Sequence, residues 1–114
     1  MSPDNAVFFL AVERLAYLHE AEGDLTGAIR SWSRLAGNEN RFYADYATFH
    51  QARLWTQKGD VEKARSLYLS FSQRFKESPL RDRVRDRLAT LPPPPAKEPA
   101  PINVVTSPVK AGNR

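Results

Sequence analysis

The chain of 114 residues contains no cysteine and only two histidines, His19 and His50. A disulfide scaffold, thiol catalysis and cysteine-type zinc sites are thereby excluded, while a reducing compartment and an exported protein without disulfides both remain open. No apolar run approaches the roughly 18 residues that a membrane span requires. Residues 6–18 come nearest, but Glu13 and Arg14 interrupt them, so no transmembrane helix is predicted. A secretory leader is not expected either, because Asp4 stands where a basic region would precede the first apolar segment. Export would require targeting residues, and an anchor, outside this sequence. Aromatic residues are missing from residues 92–114, which instead hold seven of the nine prolines, and all twelve aromatics fall between Phe8 and Phe75. The expected division is one helical domain over residues 1–91 and a proline-rich flexible tail over 92–114, which cannot bury enough surface to offset its ordering entropy.

What is present is helical periodicity. In residues 6–18, Val7, Leu10, Ala11, Leu15 and Leu18 recur at spacings of three and four and predict one buried helix face, with Ser2 and Pro3 as its start. Gly23 stops this helix and Asp24 caps the next, which is expected over residues 25–36 with Ala28, Ile29, Trp32 and Leu35 inward. Gly37, Asn38 and Asn40 form a break. The third helix, over residues 41–58, is apolar nearly all round through Phe42, Tyr43, Tyr46, Ala47, Phe49, Ala52, Leu54 and Trp55, the pattern of an element sandwiched between neighbours. Gly59 and Asp60 repeat the stop and cap. A fourth helix over residues 61–75 turns Ala64, Leu67, Tyr68, Phe71 and Phe75 inward, and a fifth over residues 79–90, opened by Ser78 and Pro79, has a seam of Leu80, Val84, Leu88 and Leu91.

Shifting the chain by 36 places superposes Ala16 on Ala52, Leu18 on Leu54, Gly23 on Gly59, Asp24 on Asp60, Leu25 on Val61, Ala28 on Ala64, Trp32 on Tyr68 and Leu35 on Phe71. The repeated unit is a helix hairpin in which glycine closes the first helix, aspartate caps the second and a small alanine lets the axes approach. Gly23-Asp24-Leu25 with Ala28 and Trp32, and Gly59-Asp60-Val61 with Ala64 and Tyr68, resemble the central signature of tetratricopeptide repeats, whose unit is about 34 residues. The segment from Tyr68 through Phe71, Phe75, Ser78, Pro79 and Leu80 to Leu88 and Leu91 is similar to the closing repeat of bacterial cell-envelope members: the ancillary translocon subunit, the Tol-Pal coordinator and the outer-membrane assembly lipoprotein. Thr48 and Gln51 depart from the pattern at positions that are usually large and apolar. The resemblance implies an all-α, right-handed solenoid of two hairpins and a C-terminal capping helix. It also implies a non-catalytic interaction scaffold or assembly factor, with a periplasmic or membrane-tethered setting and the cytoplasm left open.

The net charge of +4 is unevenly distributed. Residues 1–40 carry three Arg against six acids, residues 41–91 eleven Lys or Arg against six acids, and the tail three against one, or −3, +5 and +2. Such polarity suits an acidic partner or head-to-tail contact as well as nucleic acid. Arg81, Arg83, Arg85 and Arg87 alternate with Asp82 and Asp86, and pairing of Asp82 with Arg85 and of Arg83 with Asp86 is expected to absorb much of the charge, so a nucleic-acid adaptor is the weaker alternative. His19 and His50 read as hydrogen-bonded imidazoles, and the cluster of Glu20, Glu22 and Asp24 as ordinary helix-end charge. No enzyme, metal or cofactor is expected. The face that the resemblance implies for a protein or peptide segment comprises Leu10, Glu13, Tyr17 and Glu20 of the first helix and Tyr46, Phe49, Arg53 and Thr56 of the third. Self-association through the N-terminal hairpin, by exposed Phe8 and Phe9, is a further alternative. Residues 102–109 are a candidate docking segment.

Overall fold

The structure is a computed structural model that describes residues 4–36 and 41–94, with side chains over 6–36 and 43–94. The Ser2–Pro3 helix start, the break at Gly37, Asn38 and Asn40, the ring of Phe42, the tail from Pro95 and the candidate segment 102–109 lie outside the described residues. Among the described residues the chain is all-helical and has no strand: α1 is Asp4–Ala21, α2 Leu25–Ala36, α3 Arg41–Lys58, α4 Val61–Arg74 and α5 Arg81–Thr90.

Two identical turns set the pairing of helices. Gly23 and Gly59 take φ of 81° and 96°, a left-handed conformation that a Cβ makes costly. Each returns the chain so that the following amide reaches back over the helix end, Asp24 N to His19 O at 2.8 Å and Asp60 N to Trp55 O at 2.9 Å. The aspartates then cap: Asp24 Oδ1 accepts from Gly27 N at 2.9 Å and Asp60 Oδ1 from Lys63 N at 3.1 Å. Ala16, Ala28, Ala52 and Ala64 are all fully buried, which allows α1 to lie close against α2 and α3 against α4.

Two apolar clusters result, and α3 belongs to both. The first gathers Phe9, Val12 and Ala16 of α1, Ala28, Ile29, Trp32 and Leu35 of α2, and Ala47 and Leu54 of α3. The second joins Phe49 and Ala52 of α3 to Ala64, Tyr68 and Phe71 of α4 and Val84 of α5. Burial on both sides is why α3 carries apolar residues nearly all round its axis. Its position between the two halves agrees with its sequence pattern.

Several expectations need correction. The α1 stripe of Val7, Leu10, Leu15 and Leu18 is 66%, 57%, 40% and 56% exposed, and the buried face is that of Phe9, Val12 and Ala16. Both faces are apolar at helical spacing, and periodicity alone does not say which one the core takes. Phe8 and Phe9 are accordingly not exposed: Phe9 stacks on Tyr43 with ring centroids 3.7 Å apart, and Phe8 packs against the first cluster beneath the Arg34 guanidinium. α4 ends at Arg74, with Phe75 as its C-cap. α5 begins at Arg81 rather than at Pro79, because Ser78 closes a separate turn in which its Oγ accepts from Leu80 N and its carbonyl from Arg81 N.

Candidate protein-interaction face

α1 and α3 lie side by side in one direction, and the turn that precedes α5 meets α3 in the same register. Glu13 meets Tyr46, Glu20 meets Arg53 and Asp45 meets Ser78, each pair 33 residues apart. The sequence repeat is 36 residues, so neighbouring helices touch three residues short of strict equivalence. That offset amounts to an axial displacement of about 4.5 Å, a little under one helical turn.

The side chains between α1 and α3 form a connected polar ladder. The Tyr46 hydroxyl donates to Glu13 Oε2 at 3.1 Å, so the contact of 3.2 Å between the Tyr17 and Tyr46 hydroxyls is donated by Tyr17. Burial, together with Tyr17 and Glu13, raises the Tyr46 hydroxyl above the ordinary phenol range. Two turns further on, Arg53 grips Glu20 with both terminal nitrogens, at 2.7 and 3.0 Å, and Gln57 Nε2 donates to the same carboxylate at 3.2 Å. The Arg53 fork holds the Glu20 carboxyl below the usual carboxylate range.

Behind the ladder stands an aromatic box around His50. Its ring stacks on Trp32 at 4.6 Å and meets Tyr46 edge-on at 4.5 Å, Phe49 at 5.3 Å and Tyr17 at 6.0 Å. Arg53 Nε donates to His50 Nδ1 at 3.0 Å, which fixes a neutral imidazole that accepts at Nδ1. Burial first, and then the positive charge of Arg53, pushes the His50 pKa down to about 4. His19 is placed differently, with Nδ1 3.0 Å from Asp24 Oδ2 at the turn between α1 and α2.

At the α5 edge the arginines divide into two kinds. Arg81 and Arg85 lie within 3.8 and 3.3 Å of Asp82, and Arg85 within 3.9 Å of Asp86. The expected pair of Arg83 with Asp86 does not form. Arg83 and Arg87 instead place their guanidinium groups 5.9 and 5.4 Å from the Phe49 ring centre, one turn apart on α5. Neither has an ion-pair partner among the described residues.

Six of the eight residues expected on this face, Glu13, Tyr17, Glu20, Tyr46, Phe49 and Arg53, are brought into one connected set. Within it Phe49 is 2% exposed and covered by Arg83 and Arg87, so its ring is core and the guanidinium groups are what it shows to solvent. Leu10 stands at the border of this face and the outer face of α1 and does not join the ladder. Thr56 is exposed, its hydroxyl bonded to Ala52 O at 3.0 Å. The sequence reading missed His50 at the centre, Gln57 below Glu20, and the pair Arg83 and Arg87; His50 lies 33 residues from Tyr17, but Gln57 is 37 from Glu20 and Arg83 and Arg87 are 34 and 38 from Phe49, so the repeat of 36 did not point to them. No group of three or more His, Asp or Glu among the described residues is placed to hold a metal ion, and no helix is long and apolar enough to cross a membrane. Comparison with protein-family models, with curated proteins and with solved structures found no match to this chain.

Proposed function

We propose that this chain is a non-catalytic protein-interaction module of the tetratricopeptide type, two stacked helix hairpins closed by α5, that takes a protein or peptide segment along the face of α1, α3 and α5. The observation that carries this reading is the constant register of 33 residues that sets α1 beside α3 and α3 beside the turn before α5, with ring, carboxylate and guanidinium groups along the shared face. Tyr17, Gln57, Arg83 and Arg87 are the members of that face open to solvent. Rings and arginines held by neighbours lose little freedom on binding, the character of residues that dominate protein interfaces. A continuous polyanion would meet Glu13 and Glu20 at the α1 side, which makes nucleic acid the poorer occupant. A bacterial cell-envelope setting rests on the likeness of the closing segment alone.

Photo-crosslinking tests the reading. A crosslinker placed at Tyr17 or Gln57 is expected to capture a protein partner that one at Ser66, on α4, does not, and Arg87→Glu is expected to reduce the capture at least about fivefold. Equal capture at Ser66, or capture indifferent to Arg87→Glu, would count decisively against this face.

A further inference from the structure

The outer face of α1 presents Val7, Leu10, Ala11, Leu15 and Leu18 to solvent, with Arg14 among them. The internal repeat identifies what kind of surface this is. Adding 36 to Val7, Leu10, Ala11 and Leu18 gives Tyr43, Tyr46, Ala47 and Leu54, the α3 residues that pack into the first cluster against α1 and α2. Ala47 and Leu54 are fully buried there. The outer face of α1 therefore occupies the position that, one unit later in this chain, is an interior contact between helices.

We propose that this face pairs with the same face of a second copy of the chain, α1 against α1 in antiparallel orientation. The stripe maps onto itself when residue numbers in facing positions sum to 25: Val7 meets the partner's Leu18, Leu10 the partner's Leu15, and Arg14 the partner's Ala11. The alanine leaves room for the Arg14 stem. No other described helix offers a comparable match, because the stripes of α2 and α4 are inside the two clusters and the outer side of α5 carries Arg81, Asp82, Arg85 and Asp86. Leu69 stands alone on α4. Each copy contributes on the order of 400 Å² of apolar surface, so the pair buries about 800 Å², less than the roughly 1,000 Å² of a stable specific interface, and the pairing is weak and concentration-dependent. The face meets the ladder face at Leu10, and the variants used below leave every ladder residue in place, so the two readings are tested separately.

Sedimentation of the full chain over a concentration series into the millimolar range is expected to show the mass rising toward that of two chains. The double variant Leu15→Lys with Leu18→Lys is expected to stay at one chain with unchanged helical circular dichroism, since both positions are exposed and off the ladder. Because the chain has no cysteine, engineered thiols report the register directly. Val7→Cys protein mixed with Leu18→Cys protein is expected to form a mixed disulfide on mild oxidation in about tenfold excess over Val7→Cys mixed with Ser66→Cys. A mass of one chain throughout, or equal crosslinking with the Ser66→Cys control, would overturn the proposal and leave the face to a helical partner of different sequence.

Discussion

His50 sits in an environment far from that of a free side chain. Four rings surround it, Arg53 donates to it, and Glu20, Arg83 and Arg87 complete the charges that act on it. The sign of the pH effect follows. The unfolded chain binds a proton near pH 6.5 and the folded one only near pH 4, so stability present above 6.5 is lost as pH falls through that window and levels off below it. The lost contribution is about 2 kcal/mol after allowance for partial solvent screening. Below the ordinary carboxylate range, Glu20 adds a further loss as the Arg53 fork loses its charged partner. Denaturant melts at pH 7 and pH 4 are therefore expected to differ by about 2 kcal/mol more for the native chain than for His50→Gln. An equal difference in both proteins would assign the acid sensitivity elsewhere.

At the scale of the helix, the two turns are alike in sequence but differ in what lies over them. Gly27 is buried in the first turn of α2, and a Cβ there would run into the Asp24 carboxylate and come within 2.8 Å of His19 Nδ1. Its counterpart 36 residues on is Lys63, whose side chain passes the Asp60 cap without displacing it. Alanine at a helix-interior glycine ordinarily stabilises by about 1 kcal/mol. Gly27→Ala is instead expected to displace the Asp24 cap and gain nothing, and to recover the gain of about 1 kcal/mol in an Asp24→Ala background. A thermodynamic cycle of the four proteins measures this coupling, and additive effects would refute it. The helices themselves and both turns were legible in the sequence because glycine, aspartate and the alanines act locally. The orientation of α1 was not, because Phe9, Val12 and Ala16 and the stripe from Val7 to Leu18 satisfy the same periodicity, and only the presence of α2 and α3 decides between them. The ladder was legible as a set of positions but not as bonds, since the pairing depends on the offset of three residues between neighbouring helices. The split among the α5 arginines was hidden for the same reason, Phe49 being distant in sequence.

At the scale of the whole molecule, the described helices form a chain of neighbours in which each cluster is local and α3 is the shared member. Stability in such an arrangement is close to a sum of unit and interface contributions, so cooperativity depends on what crosses between units. Trp55 is the side chain that packs against both clusters, with the ammonium groups of Lys63 and Lys58 held 4.6 and 5.8 Å from its ring centre. Removing its ring is expected to cost about 2 kcal/mol, half-buried as it is. A greater effect is expected on coupling. Trp32, fully buried in the first cluster, is the only other tryptophan, so in Trp55→Ala its fluorescence reports that cluster alone while far-ultraviolet circular dichroism reports all helices. The two signals are expected to separate in Trp55→Ala, with part of the helical signal lost before the Trp32 signal as α4 and α5 unfold first. Their association rests on the smaller second cluster and on Val84 as the one fully buried α5 side chain. In the native chain fluorescence and dichroism are expected to share one midpoint. Coincident transitions in Trp55→Ala would place the coupling instead in the continuous α3 helix, which contributes residues to both clusters.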